Sequence, residues 1–119
     1  MTAPATAGAV VANLSQLTRE LRDKTQAYRH AEHDAANKRH IADMVEARAF
    51  LRTNGSVEFR KNTARVAADL EEGQALVAEA LVRVIRAEIR ELETRIDVGR
   101  TYGATVRAEL KTIGYEGTP

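Results

Sequence analysis

Apolar and polar positions follow a helical period along nearly the whole chain. From Ala9 to Thr53 there is neither Gly nor Pro, and apolar or small residues recur at Leu14, Leu17, Leu21, Tyr28, Ala31, Ala35, Ala42, Val45 and Ala49. The steps between them are threes, fours and sevens, which puts them on one face of a helix. Ala replaces Leu in the second half of this stripe, and Lys24 and Lys38 stand where the pattern asks for apolar groups. Asn54-Gly55 interrupts the run, since Gly can take the left-handed conformation that closes a helix C-terminus. Ser56 then offers an N-cap oxygen, and Glu58 places a carboxylate at the positive end of the next helix.

The second run is the more regular. Ala75, Ala78, Val82, Ile85, Ile89, Leu92, Ile96, Gly99, Gly103, Val106, Leu110 and Ile113 alternate in steps of three and four without a miss, a heptad seam. Gly99 and Gly103 lie on that seam and mark a place where a neighbouring helix approaches closely, at a cost of about 1 kcal/mol each relative to Ala. No strand precedes the GRTYG segment, so it is not a phosphate-cradling loop. Gly73 is a candidate kink, and Gly114 and Gly117 are candidate helix ends. The pattern predicts an all-α fold: a long, coiled-coil-like antiparallel helical hairpin with helix 9–53, turn 54–56 and helix 57–113. A disordered lead-in, 1–8, is expected before it and a flexible tail, 114–119, after it.

One segment is too apolar for a hairpin alone. Residues 75–85, ALVAEALVRVI, contain nine apolar residues in eleven, and Leu70, Val77, Leu81 and Val84 form a second stripe beside the seam. A lone partner helix buries one stripe, and a helix that is apolar nearly all round needs cover from several sides. Burying four such side chains contributes about 6–10 kcal/mol. The chain holds no further segment to cover them, so the pattern predicts a homo-oligomer. Its interface is expected at Leu70, Val77, Leu81, Val84, Ile85, Ile89, Leu92 and Ile96.

Composition narrows the picture. A length of 119 residues suits one domain. With 44% apolar residues but only 4% aromatics and no Trp, Ala, Val, Leu and Ile must build narrow seams. Cys is absent, which excludes disulfides and thiolate metal sites. MTAPATAGAVVANL lacks the basic start of a signal peptide, and no apolar run approaches a membrane span. A soluble cytoplasmic protein is expected, in the host cytoplasm if phage-encoded, with no membrane partner.

Charge adds a candidate site. Eighteen basic residues face seventeen acidic ones, for a net charge of +1, so any anion site must come from local clustering. Residues 46–65 hold Arg48, Arg52, Arg60, Lys61 and Arg65 against Glu46 and Glu58, a local excess of three positive charges. Arg48 and Arg52 suit the end of the first helix, where cations complement the dipole. Arg60 and Lys61 lie at the start of the second helix, the wrong end for cations, and an anion held at the tip would account for them. These five residues are the candidate nucleic-acid contacts. Phe50 and Phe59 flank the turn and read as plugs of the hairpin end. A second row, Arg83, Arg86, Arg90, Arg100, Arg107 and Lys111, is interleaved with Glu88, Glu91, Glu93 and Glu109 and reads as a solvated face.

Little else carries chemistry. His30, His33, Asp34 and His40 share one helix without the three or four converging ligands of a metal site. Only Ser15 and Ser56 could serve as serine nucleophiles, and neither has a His near it in sequence. No enzyme activity, catalytic residue, cofactor or metal is expected.

The order of a first helix, a short Gly-containing turn, the S-x-x-x-x-K run Ser56-Val57-Glu58-Phe59-Arg60-Lys61 and the later Ile96-Asp97-Val98-Gly99-Arg100 resembles the UvsY-like recombination mediators of phages. The likeness spans residues 45–112. It implies an oligomer that binds single-stranded DNA, with Arg60 and Lys61 on the strand, and helps load a recombinase onto DNA coated with single-strand-binding protein. The chain is less basic and poorer in aromatics than that group. The turn, Thr-Asn-Gly, lacks the Trp of the secreted hairpins with a Trp-x-Gly turn. The alternative is a structural or adaptor coiled-coil protein, such as a phage assembly or scaffolding component, that binds proteins and not nucleic acid.

Overall fold

The computed structural model describes residues 6–116. It is all-α, as the periodicity predicts, with α1 over Ala7–Arg52, α2 over Val57–Ala67 and α3 over Asp69–Glu116, and no strand among the described residues. α1 starts two residues before the expected Ala9. Thr6 provides the reason: its hydroxyl accepts from the Ala9 amide at 3.0 Å and its carbonyl from the Val10 amide at 3.0 Å, satisfying two donors that a helix start leaves open. The rest of the expected lead-in, residues 1–5, lies outside the described residues. α3 continues through Gly114 to Glu116, so that glycine does not end it, and Gly117 with the remaining tail lies outside the described residues.

The turn is built as its sequence requires. The Thr53 hydroxyl donates to the Ala49 carbonyl at 2.7 Å, which satisfies one of the last carbonyls of α1. Gly55 has φ +125°, a region costly to any side chain. The Ser56 hydroxyl accepts from the Phe59 amide at 3.2 Å as N-cap of α2.

The second arm breaks at Ala68, not at Gly73. Ala68 takes φ −98° and ψ 8° and caps α2, with its amide turned to the Ala64 and Val66 carbonyls. Asp69, Glu71 and Glu72 then crowd the first turn of α3, where carboxylates meet the positive helix end. Gly73 lies inside α3.

The described chain falls into two compact units, one of the residues up to Thr25 with those from Ala87 on, the other Gln26–Arg86. In the first, α1 and α3 run antiparallel. A Cβ placed on Gly99 would stand 2.8 Å from Leu14 Cδ2, and one on Gly103 would stand 2.9 Å from Val10 Cγ1. Both glycines are thus close-approach positions, as the seam predicts. Leu17, Leu92 and Ile96 form the buried cluster, with Leu14 and Leu21 against it. Lys24, a misfit in the apolar pattern, pairs with Glu88 at 2.7 Å.

The second unit is a helical hairpin with a different core. Its buried residues are Ala31, Ala35, Ala42, Ala49, Ala64, Ala68, Ala75 and Ala78, with Ile85 the one large side chain among them. Alanine seams let helices approach closely but remove little apolar area per residue. A charged clamp supplements this seam. The Arg39 guanidinium donates to both carboxylate oxygens of Glu79, at 2.9 and 3.1 Å, and to Glu72 at 2.6 Å. Lys38, the other misfit, turns to Asp34 one helical turn away, at 3.1 Å.

Candidate functional site

The basic tip belongs to the second unit. Arg60 is held there by the fold itself: its Nε and Nη2 donate to the Phe50 carbonyl at 3.2 and 3.1 Å, and its guanidinium lies 4.1 Å from the Phe50 ring centre. The Phe50 carbonyl is one of the last four of α1, which have no acceptor role inside the helix. A cation at the start of α2 is therefore a cap for the end of α1, and its placement has a local cause that involves no anion. Arg52 turns its Nε back to the Arg48 carbonyl at 3.3 Å. Lys61 and Arg65 are exposed, but Lys61 shares an open groove with Asp43, Glu46, Phe50 and Leu51. Two carboxylates beside it offset its pull on a phosphate. Of the five expected contacts, Arg48, Arg52, Lys61 and Arg65 remain open to solvent, and Arg60 is largely engaged.

A basic groove that the charge pattern does not reveal lies in the first unit. Arg19 and Arg22 of α1 line it with Arg100 of α3, beside Ser15 and Thr18, and no carboxylate is part of that lining. Arg100 has a long ion pair, 4.0 Å, with Asp97 on its own helix. Arg100 is far from Arg19 and Arg22 in sequence, and only the antiparallel pairing of α1 with α3 brings it beside them.

The apolar stripe divides. Ile85, Leu92 and Ile96 are buried within the single chain, Leu92 and Ile96 in the cluster with Leu17 of α1, and so are not available to an oligomer interface; Ile89 is half-buried. This corrects the interface expected from periodicity, where the two stripes ran together. Leu70, Val77, Leu81 and Val84 stay on the outside, at 68, 72, 50 and 55% exposure, joined by Val66 at 77% and Leu76 at 54%. In the second unit the small side chains are inside and the large ones face out, the reverse of a self-sufficient core.

The clamp supplies the resolved ionisation shifts. Hydrogen bonds from Arg39 lower the Glu79 carboxyl below the usual glutamate range, against a smaller opposing effect of desolvation. The same bonds raise Arg39 above its ordinary value. Among the described residues no cluster of three His, Cys, Asp or Glu is placed to hold a metal ion, and no helix is long and apolar enough to cross a membrane.

No protein-family model, curated protein or solved structure matches this chain. The likeness to UvsY-like mediators therefore rests on the short motifs of residues 45–112 alone.

Proposed function

We propose that the chain is a non-enzymatic helical interaction protein, a structural or adaptor component that binds other helices through the outer face of α2 and α3. One observation carries this reading: the second unit buries alanines and presents Val66, Leu70, Val77, Leu81 and Val84 to solvent. Exposed apolar surface in that amount is a mark of an interaction site. Long amphipathic helices are recognised by laying one apolar face against another. The test is association with protein partners from the native cell, compared with a Leu81→Glu, Val84→Glu chain of unchanged helix content. Partners lost with the double substitution support the reading. Partners retained by it overturn the assignment of this face.

A second reading keeps a single-stranded-DNA-binding role, with a recombinase or single-strand-binding protein as partner. The groove of Arg19, Arg22 and Arg100 favours it. Phosphate binding through such a groove falls steeply with added salt. A labelled oligonucleotide titrated at low and raised salt separates the two. The adaptor reading expects no saturable binding at low salt. Saturable binding that disappears with Arg22→Glu and Arg100→Glu would replace it with the DNA reading.

A further inference from the structure

We infer that the outer face of α2 and α3 pairs with the same face of a second copy, antiparallel and about a two-fold axis. This rests on reading that face as a protein-binding surface and names its partner. The residues Val66, Leu70, Gly73, Val77, Ala80 and Val84 follow one another in steps of four and three. Leu70 to Val84 form a second heptad seam on α3, on the side away from the alanine core, and Val66 of α2 extends it across the break at Ala68. No charged residue interrupts it.

Gly73 is the observation that calls for a second helix here. A glycine inside a helix weakens it, and close packing explains Gly99 and Gly103, where a Cβ would run into α1. A Cβ on Gly73 would meet nothing within 4 Å. No packing within the chain requires glycine at this position, yet it sits at the middle of the exposed stripe. Close approach of another helix supplies the reason.

The order of side chains selects a second copy as that helix. Placing two stripes antiparallel, with the axis midway between Gly73 and Val77, sets Val77 of each copy over Gly73 of the other. Leu70 then faces Ala80 of the other copy, and Val66 faces Val84. At the two inner layers a large residue meets a small one, which fills an interface without overlap, and Val66 against Val84 closes each end with two side chains of equal size. Beside the seam, Asp69 of each copy lies toward Arg83 of the other; neither makes an ion pair within the chain among the described residues, although Arg83 also helps to hold Glu79, one turn away, charged. Leu76 approaches its own counterpart on the axis. In a parallel pair Gly73 would face Gly73 and leave a gap, and Asp69 would lose Arg83. A surface complementary to its own reverse is the mark of a two-fold interface between identical subunits.

Mass in solution across a dilution series tests this, on the full chain and three variants. The wild type is expected to be a dimer that dissociates on dilution. Gly73→Leu is expected to raise the stability of the dilute monomer, because leucine is the better helix former and has open space there, while abolishing the dimer. General destabilisation cannot give that pair of results. Asp69→Arg is expected to weaken the dimer several-fold, and adding Arg83→Asp to restore it. Since the chain has no cysteine, Gln74→Cys provides a unique thiol beside the axis, and a short bis-maleimide is expected to join two copies there. Arg90→Cys, displaced from its counterpart in an antiparallel pair, is expected to stay unjoined. A wild type that is monomeric at every concentration overturns self-pairing and leaves the wider adaptor reading standing. A dimer unchanged by Gly73→Leu, or joined equally at both thiols, overturns this arrangement.

Discussion

Gly73 and Gly103 both lie inside α3, yet their surroundings give substitution opposite signs. At Gly103 a methyl group would meet Val10 Cγ1 at 2.9 Å, and a β-branched valine in a helix has little rotamer freedom with which to move aside. Gly103→Ala is expected to lower the melting temperature even though alanine is the better helix former. At Gly73 the space is open, so Gly73→Ala is expected to stabilise the dilute chain by about 1 kcal/mol; thermal melts of both variants at low concentration check the pair. The two neighbouring cations at the tip differ in the same way. Arg60 caps the Phe50 carbonyl and stacks on its ring, and Arg60→Ala is expected to cost about 1–2 kcal/mol in urea unfolding. Lys61 is exposed and makes no such bonds, and Lys61→Ala is expected to stay within about 0.5 kcal/mol of wild type.

At the scale of the elements, the second unit joins its helices by an alanine seam and one three-residue ionic clamp. Glu79 titrates below the usual glutamate range because Arg39 holds it charged. A lowered carboxyl pKa means that folding favours the unprotonated form. The stabilisation is complete above the ordinary glutamate range and is lost as pH falls through the lower folded value. Chemical unfolding followed from neutral to acid pH is expected to show this loss, and Glu79→Gln is expected to be less stable at neutral pH with a flatter acid limb. Arg39, shifted upward and already charged throughout, adds no titration of its own in that range. Glu71 lies in the same unit with Oε2 buried and no hydrogen-bond partner among the described residues. A buried acceptor left unmatched costs about 1–3 kcal/mol. Glu71→Met, similar in shape and apolar, is expected to raise the unfolding midpoint in urea.

At the scale of the whole molecule, the question is what covers the apolar outer face of the second unit. If a second copy covers it, the melting temperature must depend on protein concentration, because association stabilises the folded state by mass action. Calorimetric melts over a wide concentration range are expected to move upward with concentration for the wild type, and to coincide for Val77→Glu. Salt should affect this transition little, since the seam is apolar and only the Asp69 and Arg83 flank is charged. That separates it from oligonucleotide binding, which salt weakens strongly.

The linear order of residues determined the all-α class, the turn at Asn54-Gly55-Ser56 and the close approach at Gly99 and Gly103. Each of these follows from local chemistry: an unbroken heptad period, a glycine at positive φ with a serine cap after it, and small residues at seam positions. The break at Ala68 did not follow from the period, because an alanine inside a continuous apolar pattern gives no stop of its own and Gly73 is the weaker helix former; the acidic run Asp69-Leu70-Glu71-Glu72 fits a helix start there. Only the tertiary structure decided the rest. It assigned Ile85, Leu92 and Ile96 to the seam within the chain and left Leu70, Val77, Leu81 and Val84 outside, because two stripes on one helix look alike until a partner covers one. It turned Arg60 from a free charge into a cap, and it gathered Arg19, Arg22 and Arg100 into one groove. Those outcomes depend on which residues meet across two antiparallel helices, and a one-dimensional period fixes the face of a helix but not the neighbour it meets.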